Sequence, residues 1–375
     1  MGGKHGGKGL KRVGFNDALF ATVGLGLFFL LYLRTTVLEK VLATAVLLVM
    51  LALTYLVVKG LVVFARTEEQ LRCGICPGRP LLTLLFLFYL GLVLYDVPAS
   101  LGYLSFFATS TLQLVGLDYD ESIIAAALLT AVLVAVMYYR EKVAAKMASL
   151  KTVYTSILIF SVPALGLGDG PAVSITGLMA LLVFSLVGFS PILASLVDKG
   201  YYHDSESLRE YLTGAMLGFT VATLAEITYL ALGLPVFHLQ LMPVMGRVLV
   251  AVNGVWAYVG FTWAFAKLLK NLARVSKALA VCIGRRNQNH AFGLGGIKND
   301  GQGNDKVLSL LLAILIDIVV GTLLLLLHYP VETYLEFAGK IGGLAQYSTA
   351  ILAFVWSTRG KEKAKLTSQV TYNTF

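Results

Sequence analysis

Three observations predict an all-α integral membrane protein. Apolar residues make up 57% of the 375-residue chain. Charged residues make up only 14%, against ~25% in a soluble domain, and folding hides only about three quarters of the unfolded surface from water at this length. The apolar residues also fall into ten runs near twenty residues, bounded by charges; ~30 Å of hydrocarbon at 1.5 Å per residue needs about 20. An ordinary cytosolic enzyme is excluded.

In chain order the expected spans are 15–34, 41–60, 81–97, 122–139, 152–168, 171–196, 211–232, 247–267, 307–327 and 341–357. A basic segment, 1–14, precedes them and a cytoplasmic tail, 358–375, follows. The first run is too long for a signal-peptide core, so an anchor is expected. The fifth run is short and broken by Pro163. Residues 98–117 are a further apolar stretch with Gly102, Ser105, Thr109, Ser110 and Thr111 interleaved. The longest loop, 268–306, reads as a basic helical continuation followed by FGLGGIKNDGQGND, a flexible composition. Everything from 15 to 357 forms one transmembrane domain on this reading.

Charge sets the direction of the chain. With both termini inside, 26 of the 30 Lys and Arg residues fall on the cytoplasmic side, leaving Arg34, Lys40, Arg247 and Lys340 outside. That asymmetry is the positive-inside pattern of a multi-pass cell-membrane protein. If 98–117 also crossed, the acidic Asp118, Asp120, Glu121 loop would become internal and the basic 140–151 loop external. The expectation is therefore a re-entrant or interfacial outer segment there.

A few polar residues remain where they cost energy. Asp317 lies in LLLAILIDIVVGTLLLLL, eleven residues beyond Lys306, hence roughly 16 Å deep. An ionised Asp at the midplane costs ~2.5 to 3.5 kcal/mol on insertion scales, so it should face protein or water. The functional expectation is a proton or cation site; the plainer one is a protonated acid bonded to a neighbouring helix. Glu226 sits in the seventh span with Thr223 and Tyr229 on the same helix face. Asn253 begins a stripe with Trp256, Gly260 and Lys267 in the eighth span. A polar layer shared by spans seven, eight and nine is the expected site, with interhelical glue as the plainer reading of Asn253. Gly214 and Gly218 read as a helix-packing pair.

The basic run after the eighth span, AKLLKNLARVSKALAVCIGRR, places Lys267, Lys270, Arg274 and Lys277 at helical spacing, followed by Arg285 and Arg286. It is expected to lie along the inner membrane surface against anionic lipid. An acidic partner or nucleic acid is the other use of such charges. Cys73 and Cys76 form CGICPG, and Cys282 lies in another inner loop ahead of His290. A Cys3His zinc site and a redox pair are functional readings of these thiols, and unmetallated loop thiols the plainer one. Disulfides are unusual in cytoplasm outside hyperthermophiles. No cofactor is expected, since the chain has no P-loop, HExxH, GxSxG or intramembrane His pair.

Tyr95-Asp96 and Gly166-Leu167-Gly168-Asp169 end the third and fifth spans. On these letters the chain resembles the presenilin-type intramembrane aspartyl proteases, whose YD and GxGD aspartates share protonation to activate water. The resemblance covers six residues. It departs from the family in three ways: a helical hairpin separates the two acids, both map to the outer face, and Pro163-Ala164-Leu165 precedes the glycines instead of lying in the last spans.

The composition and intramembrane acids thus lead to a membrane transport protein, coupled through Asp317 and Glu226, as the first expectation. Five plus five spans would suit an inverted repeat, although no sequence repeat is visible. The second expectation is a membrane-embedded subunit of a DNA- or protein-translocating machine with a separate cytoplasmic ATPase, and the third an intramembrane protease.

Overall fold

The computed structural model describes residues 37–72, 75–107, 116–140, 243–284, 302–327 and 337–372, together with Thr213, Leu217, Thr220 and Leu224. Every regular element among them is helical. In chain order these are α1 (Val37–Arg72), α2 (Arg79–Phe107), α3 (Tyr119–Tyr139), α4 (Pro243–Gly284), α5 (Gln302–Ala313), a π-helical segment (Ile314–Val320), α6 (Gly321–Leu326), a second π-helical segment (Ala338–Gly343) and α7 (Leu344–Tyr372). The expected first, fifth and sixth spans lie outside the described residues, as does all but four positions of the seventh.

Three of these stretches are long and apolar enough to cross a membrane: Arg79–Pro98, Tyr119–Tyr139 and Lys306–Leu326. Their outward faces support that role. On α3, Ile124, Leu128, Val132 and Val136 recur every fourth residue and are all exposed. Along the continuous α5, π and α6 rod, Leu308, Leu311, Leu315, Val319, Leu323 and Leu327 recur every third or fourth residue and are exposed as well. In water each such side chain would forgo ~1.5 to 3 kcal/mol of burial; in lipid it forgoes nothing. The protein is an integral membrane protein.

Cross-helix contacts give the direction of each helix. A disulfide joins Cys76, just before α2, to Cys282 at the end of α4, so these two helices run antiparallel, and they are the most extensively packed pair. At the same end, Glu68 near the end of α1 accepts hydrogen bonds from Tyr89 of α2 and Arg274 of α4. Tyr138 at the end of α3 meets Ser309 at the start of α5. Gly321 abuts Leu101, which sets α6 parallel to α2. Finally, α7 descends antiparallel to α2, with Gly342 beside Tyr95 and Ala345 beside Gly91. The disulfide end therefore collects Arg79, Arg140, Lys306 and Arg359, while Asp118, Asp120 and Glu121 lie at the opposite end.

Close backbone approach holds this arrangement together. A Cβ at Gly91 would sit 2.7 Å from that of Ala345, and Cβ atoms at Gly60 and Gly342 would overlap Ala350 and Tyr95. Small residues permit the contact that drives helix association where lipid supplies no hydrophobic force. Between α3, α4 and α5, Val134, Met137, Val259, Phe265, Leu310 and Ala313 form a closed apolar core.

Two boundaries are sharpened. The stretch apolar enough to span a membrane ends at Pro98, beside the expected 97, while the helix itself continues through Pro98 to Phe107, so 98–107 is helical. Only the absent N–H of Pro98 interrupts the helix ladder there. The basic stretch after the eighth span does continue the helix, as its spacing leads one to expect. It belongs to α4, a single helix of 42 residues, roughly 63 Å long and so twice the hydrocarbon thickness.

Candidate functional site

Asp317 is fully buried at the centre of a π-helical segment. A π turn widens the helix by one residue, a rare distortion found mostly at functional sites. Its electrostatic neighbour is Asp96 of α2, also fully buried. The sequence places these two acids 221 positions apart, yet parallel packing of α2 with the α5, π and α6 rod brings them together. Neither oxygen of Asp96 has a hydrogen-bond partner among the described residues. Two carboxyls in a low-dielectric interior cannot both stay bare anions, so the pair calls for a proton or a cation between them.

Further polar groups surround the same level of the bundle. The layer formed by Lys267, Tyr138 and Ser309 gives a common reference height. Counting from it away from the disulfide end, Asp317 is roughly 12 Å up, Thr130 of α3 roughly 12 Å and Thr262 of α4 roughly 8 Å. Thr130 and Thr262 are fully buried, and their hydroxyls find no partner among the described residues. On α7, Gln346 is 1% exposed with its whole amide unsatisfied among the described residues, one turn below the Gly342 contact with Tyr95. The two carboxyls, with two hydroxyls and an amide at nearby heights on other helices, give this zone of the bundle oxygen groups of the kind that suit protons and hard cations. The second π segment, Ala338–Gly343, packs against α2 beside this zone.

A second polar layer lies between this zone and the disulfide end. Glu68 is 1% exposed, receives the Tyr89 hydroxyl at 2.7 Å and pairs with Arg274. Lys267 is buried with its ammonium 4.1 Å from the centre of the Tyr138 ring, a distance suited to cation–π attraction. Asn271 is buried one turn from Lys267. The stripe Lys267, Asn271 and Arg274 thus faces protein rather than lipid, contrary to the expectation for two of its basic residues. Lys270 is half-buried and Lys277 exposed, so lipid or partner docking is left to that edge. Arg285 and Arg286 lie outside the described residues.

The other expected residues fare differently. Thr223, Glu226 and Tyr229 lie outside the described residues, and so does Asp169. Asn253 is on α4, nine residues or roughly 13 Å beyond Thr262. The described partner of Asp317 is therefore a residue of the third span. Asp96 had drawn notice only through the Tyr95-Asp96 letters, as an acid at a span end; the signal for its depth was the apolar continuation past Pro98. Cys76 and Cys282 are joined to each other, not free. Sulfurs in a disulfide are not thiolate ligands, so this state is incompatible with a zinc site built on both. Among the described residues, no cluster of His, Cys, Asp and Glu is arranged to hold a metal.

No protein-family model matches the chain, and no curated protein matches it.

Proposed function

We propose that this protein is a ten-span, N-in/C-in transport protein of the cell membrane, in which Asp96 and Asp317 together bind a coupling proton or cation. The buried carboxyl pair at a π-helical turn is the observation that carries this reading. Intramembrane acids are costly and mark ion pathways by default, and π turns occur mostly at functional sites. Thr262, Thr130 and Gln346 supply neutral oxygens at nearby heights. Glu226 and Asn253 remain candidates for binding the substrate.

Reconstitution into liposomes tests the reading. With pyranine trapped inside and a Na+, K+ or pH gradient imposed, the wild-type protein should move protons or exchange them for a cation. Asp317→Asn should reduce that flux at least tenfold while leaving the folded fraction unchanged. Wild-type flux in a correctly folded Asp317→Asn protein would remove the proposal.

A second reading has one observation in its favour: two aspartates from separate helices meet in the bundle, as an acid–base dyad requires. It differs from the sequence resemblance, because the partner of Asp96 is Asp317 and not Asp169. Cleavage of transmembrane reporter peptides by wild type, lost in Asp96→Asn, would support it; intact reporters would exclude it.

A further inference from the structure

The disulfide end gathers four devices that tie three helices: the Cys76–Cys282 bond, the Arg274–Glu68 ion pair, the Tyr89–Glu68 hydrogen bond and the Phe64–Phe88 ring contact at 4.9 Å. Only the first is covalent. Cys76 is exposed and Cys282 half-exposed, so a soluble thiol can reach the bond. The same end carries the basic helix termini Arg79, Arg140, Lys306 and Arg359, which the positive-inside pattern assigns to the cytoplasm. Cytoplasmic disulfides of mesophiles are usually transient or redox-sensing, because glutathione and thioredoxin keep structural thiols reduced.

We propose that Cys76–Cys282 is a reversible clasp that closes the cytoplasmic mouth of the bundle and releases it on reduction. A dithiol thiolate attacks one sulfur, the S–S bond breaks, and the second dithiol sulfur resolves the mixed disulfide. The reductant leaves as a cyclic disulfide, its two electrons and two protons now on the Cys76 and Cys282 thiols. What then holds the end of α4 is its packing against α2 and the Arg274–Glu68 pair, whose Arg274 side chain is 30% exposed. A partly solvated ion pair is a weak latch compared with a covalent one. The end of α4 can then separate from α2, opening the stripe of Lys267, Asn271 and Arg274 toward the zone of Asp96 and Asp317. The word "mouth" rests on the transport reading; the clasp itself does not.

The test uses full-length protein in phosphatidylethanolamine and phosphatidylglycerol liposomes, with Cys73→Ser present throughout to prevent exchange. Amide hydrogen exchange is compared before dithiothreitol, after it, and after reoxidation with diamide. The clasp predicts about tenfold faster exchange in 79–92 and 262–284 on reduction, none in 119–139, and full reversal on reoxidation; Cys282→Ser should behave as the reduced form. Unchanged exchange in 262–284 would overturn it. So would a uniform rise in every helix with a lower unfolding temperature, the mark of a plain structural staple. Hydrogen exchange reads the clasp and not the flux, so failure of the transport reading leaves this result standing. Equal ion flux in oxidised and reduced protein would instead overturn gating while sparing the acid pair.

Discussion

Asp96 and Glu68 are both buried acids, and they show how differently a carboxyl can be supported. Glu68 accepts from a phenol and a guanidinium, so its charge is fully compensated. Among the described residues, the electrostatic neighbour of Asp96 is another acid. An acid in the first setting serves structure; one in the second is where the proposed function puts a proton or cation. Glu68→Gln is therefore expected to leave Arg274 short of its counter-charge and cost about 1 to 3 kcal/mol, read as a lower unfolding temperature in detergent, with ion binding retained. Tyr89→Phe should cost less, about 1 kcal/mol. A Glu68→Gln protein as stable as wild type would show that the pair is a surface contact. Sequence alone singled out Asp317, because an acid amid leucines is conspicuous at the midplane. It did not single out Asp96 for this role, because hydropathy placed the end of the span one residue beyond it.

At the scale of elements, the meeting of α2, α7 and the α5, π and α6 rod decides whether the two acids face each other. Gly342 lies in a π segment directly against Tyr95, the residue before Asp96. A methyl group there has no room against Tyr95, so Gly342→Ala should cost about 1 to 3 kcal/mol and displace Asp96. The checks are thermal unfolding and ion flux; normal values for both would mean that α2 and α7 do not approach so closely. Helix existence was largely legible in the apolar runs of 81–97, 122–139 and 307–327. The continuation of α2 through a proline was not, whereas that of α4 into its basic arm was. The inward turn of Lys267 and Arg274 was also hidden. Basic residues beside a span normally snorkel to headgroups, and here Tyr138 and Glu68 help to make the interior acceptable to them. The disulfide could not be read either, as three cysteines give no connectivity.

For the molecule as a whole, the proposed orientation rests on the segregation of charge. The basic helix ends and the Cys76–Cys282 bond share one face, and Asp118, Asp120 and Glu121 share the other. In a background lacking Cys73, Cys76 and Cys282, an impermeant maleimide should label Asp118→Cys on intact cells and Arg140→Cys only after permeabilisation. Labelling of both from the same side would reverse or break the topology. The central claim, however, is that Asp96 and Asp317 act as one site, and groups that act as a unit lose function non-additively. Ion flux through liposomes containing Asp96→Asn, Asp317→Asn or both is the most direct measurement. The account predicts that either single replacement lowers flux as far as the double one. Wild-type flux in Asp96→Asn beside a silent Asp317→Asn would contradict it.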